Sequence, residues 1–173
     1  EGDADSDLQL LTAGIDYRIS DQLIAGVAFS TSFSDTKFGD DAAGNSRGDM
    51  DSNGYLLIAY GTWYKGDGYV DASLAFGADR FDQSRNVRCG SSCVQAFDQQ
   101  FDAKFYGNQF AATLGGGYEW RFGAFGVTPY VQLASTQMDT EDYRETPSDQ
   151  TAPGAGFALT IDKQSRDLLT GSL

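Results

Sequence analysis

Between Gln109 and Arg121 the chain alternates strictly. Phe110, Ala112, Leu114, Gly116, Tyr118 and Trp120 form an apolar, aromatic set; Gln109, Ala111, Thr113, Gly115, Gly117, Glu119 and Arg121 form a small, polar or charged one. A period of two sends successive side chains to opposite faces, so the segment reads as a strand with one oily face and one polar face. The same pattern recurs. In residues 8–20, Leu11, Ala13, Ile15, Tyr17 and Ile19 oppose Thr12, Gly14, Asp16 and Arg18. From Leu23, the set Leu23, Ala25, Val27, Phe29 and Phe33 opposes Gly26, Ala28, Ser30, Ser32 and Ser34. From Tyr69, Val70, Ala72, Leu74, Phe76 and Ala78 oppose Asp71, Ser73, Ala75, Gly77 and Asp79. Residues 54–64 are apolar on both faces, Val127, Val131 and Leu133 mark a further strand, and segments starting at Gly156 and Asp167 finish the chain. The pattern predicts about eight strands, most near the roughly ten residues that cross a bilayer when tilted.

The connections sharpen this. SDQ (20–22), KGDG (65–68), FGAFG (122–126) and DKQSR (162–166) read as tight turns. Between them lie long polar excursions at about 35–53, 82–104 and 137–155. Short and long alternate, and in an up-and-down meander every second connection lies at the same end of the sheet. One end is therefore trimmed and the other carries long loops, which is the arrangement of outer-membrane barrels and not of a Greek-key sandwich. Alternation alone does not say whether the oily face meets lipid or a protein core. The polar face favours lipid outside: it is rich in Gly, Ala, Ser and Thr, as a crowded lumen is, and nearly lacks the Lys of a solvated strand. Aromatics gather near the short turns (Tyr17, Trp63, Tyr64, Tyr69, Tyr118, Trp120, Phe122, Phe125) and near the long-loop ends (Phe33, Phe81, Phe105, Tyr106). Two such belts fit the two membrane–water interfaces. The lipid-facing or girdle set is expected to include Tyr17, Phe29, Leu74, Phe110, Leu114, Tyr118, Trp120, Val131 and Leu133.

Composition narrows the chemistry. The 173 residues suit a single domain, 1–173, and a net charge of −13 argues against nucleic acid as a partner. Hydrophobic content is 40 %, and no run approaches the roughly 18 apolar residues of a spanning helix. No secretory leader pattern is present, and a start at Glu1 reads as a mature or excised segment. Histidine is absent, which removes a histidine base and a histidine-ligated metal. No nucleophile–base motif stands out, so no enzyme and no cofactor are expected.

Several blocks, in order, resemble the β-domain of autotransporters, the translocators of type V secretion. They are GIDYRISDQLIAGVA, GYLLIAYGTWY, YVDASLAFG, GNQFAATLGGGYEWRFGAFGVTPYVQLAST and GAGFALTIDKQSRDLLTGSL, and the resemblance runs from about Leu8 to Leu173. It implies a twelve-stranded antiparallel up-and-down barrel in the outer membrane of a Gram-negative bacterium, with a helical segment in its lumen leading to an N-terminal passenger. It implies outer-membrane lipid, the barrel-assembly machinery and the protein's own passenger as partners. No passenger or linker helix precedes Leu8, and the chain stops at Gly-Ser-Leu without a terminal aromatic. The expectation is a partial barrel. Pro129, in TPY, is expected near a turn, since proline inside a ladder removes a donor.

The remaining constellations weigh less. Cys89 and Cys93, in a predicted outer loop, are expected to pair as a disulfide in an oxidising compartment. A zinc site would need two further ligands, and the spacing is not that of a redox pair. Residues 39–53 carry Asp40, Asp41, Asp49 and Asp51 but miss the calcium-loop spacing, so a solvated acidic loop is the plainer reading. Arg47-Gly48-Asp49 spells an adhesion tripeptide on three letters only. Asp16, Arg18, Asp71, Asp79, Glu119 and Arg121 project to the polar face, where they are expected to pair across strands and line a hydrophilic path. Two other readings stay open: a complete eight-stranded barrel whose outer loops bind a surface ligand or mediate adhesion, and a soluble β-sandwich binding domain.

Overall fold

A computed structural model describes residues 4–40, 46–90 and 95–173. The strands are β1 (Ala4–Ser20), β2 (Leu23–Phe38), β3 (Gly48–Lys65), β4 (Gly68–Cys89), β5 (Phe97–Tyr118), β6 (Trp120–Phe122), β7 (Phe125–Val127), β8 (Tyr130–Thr140), β9 (Tyr143–Arg144), β10 (Thr146–Pro147), β11 (Thr160–Ile161) and β12 (Gln164–Ser172). One antiparallel sheet runs β1-β2-β3-β4-β5-β8-β12, with β10 continuing the β8 side of β5. β6 and β7 form a separate small hairpin, and β9 pairs with β11.

The meander follows from local sequence. Lys65 pairs with Gly68 across Gly66-Asp67, and Gly66 has φ +62°. A two-residue hairpin loop needs positive φ to match the strand twist, and glycine supplies it without a Cβ clash. Pro129 lies outside the ladder, immediately before β8, where its carbonyl accepts from the Tyr118 amide at 3.3 Å.

The two faces differ in crowding. On β2 to β5 the Gly/Ser/Ala set is half-buried or buried, while in its oily counterpart Val27, Phe29, Leu57, Leu74, Phe76 and Leu114 are exposed. A Cβ on Gly26 would lie 2.6 Å from Tyr60 Cζ, and one on Gly115 would lie 2.8 Å from both Asp71 Oδ2 and Tyr130 Oη. The sheet therefore curls toward the small-residue face, which becomes the inner face, and the oily side chains are splayed on the outer face.

Three expectations are corrected. The strand from Gly156 does not form: Ala155–Phe157 is a 3-10 turn entered through Gly154 at φ +91°, and only Thr160–Ile161 is extended. Its apolar residues are used elsewhere, as described below. DKQSR is accordingly no hairpin turn at the trimmed end, and β12 pairs with β8. The excursions 35–53 and 82–104 are mostly strand, because β2 to β5 run well past the apolar band. Among the described residues β1 and β12 are the two edges of the sheet and do not pair, so an eight-stranded barrel closed between first and last segments is not what this sheet forms. A soluble sandwich is set aside as well, because the oily face lies uncovered, with Ile15 at 72 % and Leu114 at 56 % exposure.

Candidate functional site

The outer face carries a continuous apolar band built by register. Ala13 pairs with Phe29, Phe29 with Leu57, Leu57 with Phe76, and Phe76 with Phe110. One step lower, Ala72 pairs with Leu114 and Leu114 with Leu133. The Phe76 and Phe110 rings meet tilted with centres 5.0 Å apart, and Phe29 and Tyr55 stack at 6.2 Å. Val131, Leu133 and Leu74 all stand on this face, half exposed. At the trimmed end Tyr17, Trp63, Tyr64, Tyr118, Trp120, Phe122 and Phe125 are exposed, and Tyr69 joins the cluster at 6.4 Å from Tyr64. Lys65 lies 6.0 Å above the Trp63 ring.

Above Phe33, Tyr55 and Tyr106 the outer face turns acidic. Asp7, Asp35, Asp51 and Asp82 stand opposite one another on four adjacent strands, and the row ends at Lys104, 3.1 Å from Asp82. Like charges in direct cross-strand register need water around them, so this row marks the upper limit of the band. Asp49 and Asp51 thus lie on β3 and not in a loop, while Asp41 falls outside the described residues. The Arg47-Gly48-Asp49 tripeptide is stitched into the sheet: Gly48 pairs with Phe38 and Arg85, and the Arg47 carbonyl accepts from the Asn86 amide at 2.9 Å.

The inner face is polar through the band. Asp71 and Asp79 stand there with Ser30, Thr62, Gln109 and Gln132, half-buried or buried. Asp16 and Arg18 share that face on β1, in register with Gly26 and Ile24. Among the described residues no salt bridge involves Asp16, Arg18, Asp71 or Asp79, so the expected cross-strand pairs are not formed there. Their cross-strand partners are Gly26, Ile24, Thr62, Gly115, Gly54 and Gly107, none of which carries a counter-charge. Glu119 and Arg121 do pair, at 2.7 Å, but in the β5–β6 region among the aromatics of the trimmed end, where both are well exposed. The Arg121 hydrogen bond holds the Glu119 carboxyl below its ordinary value. They belong to the trimmed rim and not to the wall of the path.

Past the band the two faces exchange character. On β5, Asp98, Gln100, Asp102 and Lys104 point outward, and Gln99, Phe101, Ala103 and Phe105 point inward, all four of them buried. The segment 141–163 folds over this inner patch. Tyr143 stacks on Phe105 at 4.1 Å, Phe105 on Phe81 at 4.9 Å, and Phe157 on Phe97 at 5.3 Å. Phe81 and Phe105 are therefore core of this cap and not part of an outer girdle. β10 adds to β5, with Thr146 opposite Asp102 and Pro147 opposite Phe101. Arg85 pins the cap: Nε donates to Glu145 Oε1 at 2.8 Å, Nη2 to Glu145 Oε2 at 2.5 Å and to the Phe157 carbonyl at 3.1 Å. Its guanidinium carbon lies 4.9 Å above the Phe101 ring. Glu145 also accepts from the Leu159 amide at 2.9 Å, and its own amide donates to the Leu159 carbonyl at 2.9 Å. The bidentate fork-on-carboxylate geometry is the strong form of a charge-assisted pair.

The sequence pattern predicts loops at 82–104 and 137–155 and a strand from Gly156. The signal was present as a switch of parity: apolar residues are even-numbered from Phe110 to Tyr118 and odd-numbered from Phe97 to Phe105. Cys89 closes β4; Cys93 lies outside the described residues.

The cap carries a pH dependence. Burial raises the Glu145 carboxyl, but the Arg85 and Leu159 donors hold its charged form more strongly and set it below the ordinary value of 4.5. A lowered carboxyl contributes stability that is full above the ordinary value and is lost as pH falls through the folded one. Hydrogen exchange over 143–159 should thus stay slow down to about pH 4.5 and accelerate in stronger acid. Asp149, held low by Thr151, titrates nearby, so Glu145→Gln identifies the transition: exchange should already be fast at neutral pH. Unchanged protection in Glu145→Gln would assign the acid response elsewhere.

A family model described as "Autotransporter beta-domain" matches residues 1–173. No curated protein matches the sequence. Among solved structures the chain is similar to the translocator domain of autotransporter NalP from Neisseria meningitidis, at 14 % identity and a TM-score of 0.70. That match covers 98 % of this chain and 52 % of the other, so this chain spans about half the length of that domain. It is also similar to the ferric-catecholate import receptor Fiu of E. coli K12, at 14 % identity and a TM-score of 0.50, covering 97 % of this chain and 30 % of that one. Both likenesses concern the fold.

Proposed function

The chain belongs to the autotransporter β-domain family, and on that premise we propose that these residues are a stretch of the wall through which such a protein delivers its own N-terminal passenger to the cell surface. The barrel belongs in the outer membrane of a Gram-negative bacterium. The observation that carries the proposal is the opposition of a continuous exposed apolar band, Ala13 to Leu133, to a crowded polar inner face. Lipid chains cover the first and water or the exported chain meets the second.

The free edges of β1 and β12 set a further requirement. In hydrocarbon an unpaired peptide group costs several kcal/mol, so only a closed wall is tolerated. Additional strands therefore complete the cylinder, consistent with a match that covers about half of a translocator domain. The barrel-assembly machinery inserts it. The contribution of the wall to export is geometric and electrostatic, not catalytic, and no cofactor takes part. In the same oxidising surroundings Cys89 and Cys93 pair.

The test uses the full-length gene in a Gram-negative host, with an epitope tag N-terminal to Glu1. Protease added to intact cells should remove the tag and leave a heat-modifiable, membrane-embedded remainder. A tag that stays protected in intact cells while the barrel is correctly inserted would rule out passenger delivery.

A further inference from the structure

The bore-side surface of the wall does not end as it runs. Above the band its inner face turns apolar, and segment 141–163 leaves the β8–β12 connection to lie across it. Its side-chain contacts lie on the inner face of β4 and β5, and its short strand β10 lies along the edge of β5. Tyr143 rests on Phe105, Phe157 on Phe97, and Glu145 on Arg85, with β10 hydrogen-bonded along β5. The contact is ordered in depth: Phe101 is fully buried, Glu145 is 4 % exposed, and the ion pair is flanked by an aromatic ring and two backbone bonds. A connection that served only to join β8 to β12 could stand free in water, as loops at a membrane surface do. This one is folded inward.

We propose that residues 141–163 are a lid over the outer mouth of the bore, latched to the wall by Arg85 and Glu145, which must swing off β5 for the mouth to open fully. The inference rests on the reading of the inner face as a bore. The attachment suits a two-state element. The strand addition is short, two residue pairs at Thr146 and Pro147 extended by the Ser148 amide to the Gln100 carbonyl and by Gln99 Nε2 to the Asp149 carbonyl, and two ring pairs join the segment to the wall. The charged contact is one carboxylate that takes two donors of one guanidinium. Removing Arg85 leaves the buried Glu145 carboxylate with only the Leu159 amide, and removing Glu145 takes from Arg85 its carboxylate partner. Arg85 also donates to the Phe157 carbonyl, so the latch touches the segment at two places, Glu145 and Phe157.

The full-length protein, purified and reconstituted in planar lipid bilayers, reports lid position as single-channel KCl conductance. Wild type should dwell mainly at a low level with brief steps to a higher one. Glu145→Ala should shift the dwell time to the high level. Arg88→Ala, which removes the exposed Arg88–Asp98 pair, should leave the distribution unchanged. A lock gives the converse: Asp102→Cys with Thr146→Cys, opposite each other on β5 and β10, in a Cys89→Ser, Cys93→Ser background. Oxidation should abolish the high level and reduction should restore it. If the oxidised lock and Glu145→Ala both give the wild-type distribution, there is no lid; should Glu145→Ala not fold, the lock decides by itself. Absence of any channel from well-folded wild type would instead count against the bore.

Discussion

Leu114→Arg in the full-length protein should lower folding stability in lipid by about 2–4 kcal/mol, the cost of a cationic side chain near the middle of the bilayer on the outer face of a barrel. Leu114 sits mid-band, in register with Ala72 on one side and Leu133 on the other, and is 56 % exposed. In water that exposure would make arginine the milder residue, and the substitution would be neutral or helpful. In lipid the guanidinium must snorkel or drag water inward. Gln132→Arg, one residue away on β8 but on the inner face, should cost under about 1 kcal/mol because a wet bore accepts the charge. Urea titration of protein folded into phosphatidylcholine vesicles measures both. Equal losses at the two positions would mean that the faces are not distinguished by lipid, and the orientation of the wall would have to be given up.

Gly48→Ala should cost about 3 kcal/mol, combining a strained backbone angle with an overpacked contact. Gly48 begins β3 at φ +131°, and a Cβ there would lie 2.0 Å from the Ser84 carbonyl oxygen and 2.9 Å from Arg85 Cα. Those atoms are backbone and cannot rotate away. The strand would have to lift from β4, losing the Asn86-to-Arg47 bond and displacing Arg85, whose side chain holds the cap. The loss should therefore appear in two readouts, the urea midpoint and hydrogen exchange over 143–159. Asp49→Ala, next in sequence but exposed, should fall within about 0.5 kcal/mol of wild type. A Gly48→Ala protein with wild-type exchange in the cap would show that the β3 rim and the cap are independent.

The failures of the sequence reading are as physical as its successes. GFALTID at 156–162 alternates as cleanly as any strand, with Phe157, Leu159 and Ile161 on one parity. Alternation records that every second side chain leaves water; it does not record into what. Here Phe157 goes to Phe97 and the Leu159 backbone to Glu145, so the segment serves a cap and not a ladder. The stretch Phe97–Phe105 was read as loop because its charges, Asp98, Asp102 and Lys104, look like solvent. They do face solvent, but from a strand whose other side is covered. Asp71 and Asp79 were expected to find cations; their neighbours across β3 and β5, such as Gly54 and Gly115, make space for them and supply no charge.

What the chain determined by itself is the band. Ten-residue stretches with one oily parity determine which side chains share a face, because the pleat admits only two faces and a slip of one residue would exchange them. What only the tertiary structure decided is where that rule inverts. The partners of the outer mouth are brought together from far apart, Arg85 and Glu145 being 60 residues distant in sequence. Their pairing depends on a segment folding back across strands already in register, and no local periodicity encodes a contact made by closing so long a loop.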